Sequence, residues 1–228
     1  PGNPGEAYRP NRAETPKALK NREQHVEFLA QVGEGSGNHH GWAHWFRTLP
    51  VYLDLGGLRV VHGGWDDGSV AALQAAGWVD GAILDDALLH LAYDEKCAVG
   101  KARKRLTCGL ELALPAGRFI RDKSGHEHKD VRVADWRHEA TDFRQLALVP
   151  LGQEQQLDGM DWPAGPELHP IEGSPILIGH HWFQGVPNVE SPKLACLDWS
   201  AAKGGPLVCY RWDGEDELSD EKLFCVQP

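Results

Sequence analysis

Long apolar stretches are absent from this chain of 228 residues. No run approaches the roughly 20 consecutive apolar residues that a membrane-spanning helix requires. The first residues also lack the basic segment followed by an apolar one that marks a secretory signal peptide. The sequence therefore predicts a protein that does not cross a membrane and carries no export signal.

The cysteines are few, and they lack the spacing of a structural site. There are five, an odd number, and no two of them form a Cys-x-x-Cys pair. This pattern argues against a disulfide-stapled scaffold and against a structural zinc site. We expect reduced thiols and a cytoplasmic location.

Positive charge is in short supply. Lys and Arg number 23 against 33 Asp and Glu, which gives a formal charge of −10. Non-specific nucleic-acid binding needs clustered cations that neutralise phosphates, so we do not expect a nucleic-acid partner. We interpret the one basic cluster, residues 101–105, as a solvated helix face. The apolar share of 41% and the charged share of 25% are those of an ordinary globular protein.

Helical periodicity marks four segments of the chain. They are residues 17–31, 42–49, 69–76 and 80–93. The glycine-containing residues 33–41 are expected to separate the first two helices, and Pro50 to end the second. In that second helix Trp42, Trp45, Phe46 and Leu49 recur at helical spacing and are expected to form one apolar face.

Short apolar runs bounded by glycines predict the strands. Residues 51–55 and 58–61 are expected to form one hairpin, and residues 119–133 another. Four further strand candidates follow, at residues 175–178, 194–198, 206–212 and 223–226. Because their turns are rich in glycine, we expect this end of the chain to be an antiparallel sheet. The predicted fold class is α/β with a β-rich, antiparallel C-terminal part.

Two of these strands end in a histidine beside glycine. The run 58–61 leads into His62, Gly63 and Gly64, and the run 176–178 leads into Gly179 and His180. Open α/β sheets bind their ligands at the carboxyl ends of strands, and glycine lets a backbone or a ligand come close. An ordinary surface histidine at a turn is the alternative. Together, the two tips predict one metal ion held from two sides, since zinc, manganese and iron all accept neutral imidazole.

Two histidines do not complete a metal site. Asp66 and Asp198 are nearby candidate ligands. We expect Asp198 to orient a ligand histidine or the C-terminal turn instead of binding the metal, as carboxylates beside metal sites do, and Asp66 to act likewise. His181 either points to the opposite side of the strand from His180 or lines the substrate cleft. Trp65 and Trp182 are candidate walls of that cleft.

The motifs Val61-His62-Gly63-Gly64 and Gly179-His180-His181 resemble the late motifs of the calcineurin-like metallophosphoesterases. The likeness is greatest to the branch that contains bacterial serine/threonine protein phosphatases and symmetrical diadenosine-tetraphosphate hydrolases. Residues 45–57 and 196–214 resemble the same branch, so the likeness covers essentially the whole chain. It implies one domain over residues 1–228 with the two-sheet α/β sandwich of that family.

The early motifs of the family, Gly-Asp-x-His-Gly, Gly-Asp-x-x-Asp and Gly-Asn-His-Glu, do not occur at strand tips in this chain. Asn38-His39-His40 imitates the third, but it follows a stretch rich in Gly and Ser, and we interpret it as a loop. The chain therefore resembles the C-terminal part of such an enzyme. Pro1 in place of Met agrees with a start just after the third motif.

The resemblance implies hydrolysis of a phosphomonoester, a phosphoprotein or a dinucleoside polyphosphate. The attacking group would be a hydroxide that bridges two divalent metal ions. These would be manganese ions, or else iron and zinc. His62 and His180 would both bind the second metal. Arg132 would hold a phosphate oxygen through its guanidinium fork, and His181 is the other candidate catalytic residue. The implied partners are a phosphorylated substrate and the N-terminal half of the domain, which would supply the other ligands.

Two further functions stay open. The chain could be a non-catalytic remnant of the same fold, or a small-molecule binding domain with tryptophan walls in which the histidines are incidental. As part of a larger domain, this chain alone is expected to be poorly stable, because a sheet cut through its middle leaves unpaired edges.

Overall fold

Helices and several small sheets alternate along the chain, which is a mixed α/β protein. A computed structural model describes residues 22–23, 25–78, 85–121, 127–149, 152–160 and 168–227. The chain divides into two compact units. One draws on residues 1–51 and 67–104, and the other on residues 52–66 and 105–228.

The elements follow in chain order. The helices are α1 (Val26–Val32), α2 (Gly37–Phe46), α3 (Asp67–Ala75), α4 (Asp86–Tyr93), α5 (Ala98–Cys108) and α6 (Phe143–Leu146), with short 3-10 helices at Glu154–Leu157, Ala201–Lys203 and Asp220–Lys222. The strands are β1 (Tyr52–Asp54), β2 (Arg59–Val61), β3 (Leu110–Ala113), β4 (Ile120–Arg121), β5 (Glu127–His128), β6 (Asp130–Val133), β7 (Ile176–Ile178), β8 (Leu194–Cys196), β9 (Leu207–Tyr210) and β10 (Leu223–Val226).

The first unit is helical. Helices α3 and α4 confirm the predicted helices at 69–76 and 80–93 as far as these are described, since residues 79–84 lie outside the described residues. Residues 17–21 and 24 of the predicted helix at 17–31 also lie outside them, and α1 covers its end. Among the described residues, no helix is both long and apolar enough to cross a membrane.

Helix α2 begins earlier than predicted. Ser36 is its N-cap, and the Ser36 hydroxyl accepts a hydrogen bond from the His39 amide at 3.2 Å, which satisfies one of the amides left open at a helix start. The loop interpretation of residues 38–40 is therefore wrong. The predicted apolar side chains of this helix are 41–48% exposed: Trp42, Trp45, Phe46 and Leu49.

The basic cluster on α5 is not the solvated face that was predicted. The Arg103 guanidinium lies 4.9 Å from the centroid of the Tyr93 ring. The Arg105 side chain is only 17% exposed and forms an ion pair with Asp135. Two of the cations are thus partners in packing, as the long apolar stems of arginines allow.

A four-stranded sheet organises the second unit, in the order β1, β2, β7, β8. β1 and β2 form the predicted antiparallel hairpin. β7 runs parallel to both β2 and β8, so the antiparallel arrangement predicted for β7 and β8 is wrong. The physical reason is the connection between them, because residues 179–193 are enough for a crossover. Both strands are buried along their whole length, as strands of parallel sheets commonly are.

Three antiparallel pairs complete the second unit: β3 with β6, β4 with β5, and β9 with β10. The second pair confirms the predicted hairpin around residue 124, whose turn lies outside the described residues. The third confirms the antiparallel end of the chain. Apolar side chains cluster around β3 and β6, and a smaller cluster joins Leu58, Leu177, Ala195 and Leu218.

Candidate functional site

His62 and His180 lie side by side at one edge of the central sheet. β2 and β7 are parallel neighbours, so their carboxyl ends meet. The contact continues past the strands, since the Gly179 amide donates a hydrogen bond to the His62 carbonyl oxygen at 2.9 Å. The two imidazole centroids are 4.9 Å apart, and the rings are inclined at 59°.

The glycine pair after His62 packs on the end of α5. Both amides donate to the Leu106 carbonyl oxygen, Gly63 at 2.7 Å and Gly64 at 3.3 Å. A Cβ atom on Gly63 would lie 2.4 Å from the amide nitrogen of Gly109, which is far inside the contact distance. The lack of a Cβ atom at Gly63 therefore allows the end of α5 to pack closely against it.

His181 is buried beside the pair. Its Nε2 lies 2.7 Å from the Gly63 carbonyl oxygen, and because a carbonyl can only accept, Nε2 carries the proton. Its Nδ1 is buried and has no hydrogen-bond partner among the residues described. β7 has already ended at Ile178, so strand alternation does not set the direction of this side chain. His181 lines a cleft and ties the two histidine-bearing tips together.

Arg132 reaches the site from β6. Its Nη1 donates to the His180 carbonyl oxygen at 3.3 Å, and its Nε is buried without a partner in the described part of the chain. The positive charge contributes to lowering the pKa of His62, His180 and His181. The structure thus places the predicted phosphate-binding arginine against the histidines.

The three imidazoles are neutral at neutral pH. Burial, more than any other cause, lowers the pKa of His62, lowers that of His180 to about 3 and lowers that of His181 to about 4. His62 keeps an exposed side, and the nearby Asp198 carboxylate partly offsets the effect there. Neutral imidazole is the form that binds metal ions.

The two aspartates have different surroundings. Asp198 follows β8, accepts a hydrogen bond from the Ser200 amide at 3.1 Å and lies close enough to His62 to raise its pKa. Asp66 lies near Asp135 and contributes to raising the pKa of that carboxyl. The structure therefore relates Asp198 to the histidine pair and Asp66 to the Arg105–Asp135 ion pair.

Cys196 lies at the end of β8, close to the site. Its Sγ is 3.8 Å from the Gly179 carbonyl oxygen. Burial raises the pKa of the thiol to about 12, so it is protonated at neutral pH. Since the thiolate is the form that ligates and attacks, the histidines are the stronger donors at this edge.

Three residues here adopt a left-handed backbone. His180, Trp182 and Ser200 have φ values of 67°, 53° and 63°, and they are the only described residues other than glycine with positive φ. This conformation is costly for a side-chain-bearing residue and is concentrated at functional sites. All three lie in the loops after β7 and β8, at the histidine edge of the sheet.

A cleft of about 670 Å³ opens beside His181. Its lining combines aromatic and cationic side chains, which include Arg132, Arg137, Trp182, Phe183 and Lys203. The sequence points to Trp182 as a wall, but it does not point to Arg137 or Lys203, because no local pattern sets them apart from surface cations. Trp65, the other predicted wall, packs edge-on against Tyr52.

Within the described ranges, no group of three or more His, Cys, Asp or Glu side chains is arranged to hold a metal ion. Comparison with protein-family models, with curated proteins and with solved structures gives no match.

His181→Gln is expected to flatten the dependence of stability on pH. Between about pH 6.5 and about pH 4 the unfolded chain protonates this histidine and the folded chain does not, so stability falls as the pH falls. The loss assigned to His181 between about pH 7 and about pH 5 is roughly 2 kcal/mol. Urea unfolding at both values measures it. The two proteins should run parallel above about pH 6.5, and identical slopes below it would refute the assignment.

Proposed function

We propose that this chain is the C-terminal portion of a metal-dependent phosphoesterase with the calcineurin-like two-sheet sandwich. His62 and His180 bind one divalent metal ion, and a phosphorylated substrate occupies the cleft that Arg132 and His181 line. The observation that carries the proposal is the position of the two imidazoles, next to each other at the carboxyl ends of neighbouring parallel strands. Ligands of open α/β sheets bind at this edge.

The spacing and state of the imidazoles fit a metal ion. Two rings whose nitrogens lie about 2.1 Å from one ion, at about 90–110° to each other, have centroids roughly 4.5–5.2 Å apart. The pair is 4.9 Å apart. His180 Nε2 is buried without a hydrogen-bond partner among the described residues, which is unfavourable unless the atom binds something.

The charges near the pair call for further ligands. Arg132 places one positive charge against the histidines, and Asp198 supplies a negative charge that acts on His62. Because these two charges cancel, the positive charge of a divalent ion would not be balanced by them. Charges in protein sites are normally paired. We therefore assign the remaining carboxylate and amide ligands to the N-terminal half of the domain.

Each residue of the site then has a role. A divalent ion at the pair would polarise a phosphoryl oxygen and make a water nucleophilic at neutral pH. Arg132 holds a phosphate oxygen, for which the guanidinium geometry is suited. Asp198 favours the orientation of His62. His181 donates a hydrogen bond from Nε2 to the Gly63 carbonyl oxygen and so positions the two strand tips.

Metal binding and phosphatase activity test the proposal. The chain is extended by the residues that its gene encodes before Pro1, and manganese binding is measured by titration calorimetry together with p-nitrophenyl phosphate hydrolysis. His62→Ala and His180→Ala should each weaken manganese binding by more than the roughly 10- to 100-fold that loss of a ligand's hydrogen-bond partner costs. Both should abolish hydrolysis.

His138→Ala is the matched control, because His138 is an exposed histidine of the same unit. Its metal binding and activity should equal those of the unmodified protein. An extended chain that binds no metal, or whose binding survives both replacements at the site, would contradict the proposal.

The non-catalytic remnant is the second candidate. It is favoured by one observation, that within the described residues no three potential ligands stand together. The reading frame before Pro1 discriminates the two. If it encodes no Asp, His and Asn motifs at strand tips, and the protein binds one metal ion or none, the remnant accounts for the chain.

A further inference from the structure

The cations of the cleft fall into two classes. Arg137 Nη2 donates to Glu190 at 2.7 Å, and Arg144 forms an ion pair with Asp158. Arg132 and Lys203 line the same cleft, and neither forms an ion pair with a described carboxylate. These two cations have no carboxylate partner among the described residues and can face an anionic ligand, although the Glu154 carboxylate also lines the cleft.

Lys203 lies against an unusual tryptophan. Its Nζ is 4.0 Å from the centroid of the Trp182 ring, within the range of a cation–π contact. Trp182 is 57% exposed, although a large aromatic residue is normally placed in the core. It also has the left-handed backbone described above, which disfavours a bulky side chain.

The backbone next to Trp182 is held in place. The Phe183 amide donates to the Asp198 carbonyl oxygen at 2.8 Å, and the Ser200 hydroxyl donates to the Phe183 carbonyl oxygen at 3.1 Å. These bonds attach the loop after β7 to the loop after β8. The backbone that follows Trp182 is thus anchored at two points, and the exposed indole lines the cleft.

We propose that Trp182 and Lys203 form a subsite for a planar aromatic group carried by the phosphate substrate. This rests on the proposed function and names the part of the substrate beyond the phosphate. The phosphate is held at Arg132, which bonds to His180, and Trp182 follows His180 by two residues. An aromatic ring in the ester group stacks on the indole face opposite Lys203, while the Lys203 ammonium, which covers the other face, adds positive charge.

Two matched ligand pairs test the subsite and identify the source of the ring. Phenyl phosphate is compared with methyl phosphate, and adenosine 5′-monophosphate with ribose 5-phosphate, by calorimetry on the extended chain well above the second phosphate pKa of about 6. The aromatic member of at least one pair should bind roughly tenfold more tightly, the contribution of a good aromatic contact. Preference in the first pair indicates an aryl ester, and preference in the second a nucleotide.

Variants assign the preference to residues. Trp182→Leu should abolish it and leave methyl phosphate or ribose 5-phosphate binding unchanged, whereas Trp182→Phe should retain most of it. Lys203→Met should weaken both members of a pair alike, by roughly threefold, the scale of an exposed charge contact. Trp45→Leu removes another exposed tryptophan and should change nothing.

The failures are distinguishable. If phosphates bind and Arg132→Met weakens them, but neither pair shows an aromatic preference, the subsite is refuted and the proposed function stands. A preference that survives Trp182→Leu also refutes the subsite. If no phosphate binds at all, both the subsite and the phosphate site at Arg132 are refuted.

Discussion

Gly63→Ala is expected to destabilise the second unit by about 3 kcal/mol or more, the upper range for an overpacked core. The new Cβ would lie 2.4 Å from the Gly109 amide nitrogen and 2.6 Å from the Thr107 carbonyl carbon. These are backbone atoms at the end of α5, so no side-chain rotation can relieve the clash. The helix end has to move, and the His181 hydrogen bond to the Gly63 carbonyl moves with it.

Gly179→Ala is the matched control at the other strand tip. A Cβ there would lie 3.6 Å from both the Nδ1 and the carbonyl oxygen of His62, which is an ordinary contact. The loss should be within about 1 kcal/mol. Urea unfolding gives both values, and hydrogen exchange of residues 105–121 localises the effect. Equal losses for the two glycines would show that the helix contact is not what requires Gly63.

Arg105→Met is expected to cost roughly 3 kcal/mol at neutral pH, because removing one partner of a buried ion pair leaves the other charge uncompensated. Arg105 and Asp135 have side chains only 17% and 21% exposed. Burial raises the pKa of Asp135, and the attraction of Arg105 only partly opposes this. Without the arginine, the buried carboxylate is still less favourable.

The pH dependence separates charge from packing. A carboxyl whose folded pKa is raised takes up a proton more readily when folded, so the cost of the Arg105→Met variant should shrink as the pH falls toward about 4. The double variant Arg105→Met with Asp135→Asn should recover more than half of the loss at neutral pH. Urea unfolding of the four proteins at both values completes the cycle. A cost that is independent of pH would assign the effect to lost packing.

The strands and the two histidine tips could be predicted because their signals are local. Residues 58–64 and 176–180 each contain an apolar run, a glycine and a histidine within a few positions, and both runs are strands. The pairing of β7 could not be read in the same way. Glycine-rich turns favour hairpins, but the pairing of distant segments depends on which strands are buried together. β7 lies between β2 and β8 in the sheet and runs parallel to both.

The remaining parts of the site depend on contacts between distant residues. From the sequence alone, Gly63 fits a tight turn and a ligand site equally well. Its contact with the end of α5 depends on residues more than 40 positions away along the chain. Arg132 reaches His180 from another sheet, and Lys203 meets Trp182 across two loops. The N-cap at Ser36, by contrast, was a local signal, and the glycines that follow it obscured the start of α2.

The hydrogen bond from His181 to Gly63 joins residues 118 positions apart, and it closes a large loop of chain. Closing such a loop costs chain entropy before any contact repays it, and proteins dominated by distant contacts fold slowly. The local hairpins β1–β2 and β9–β10 can form without it. We therefore expect the histidine edge to assemble after these hairpins, so that a ligand bound at this edge would select chains in which the distant strands are already paired.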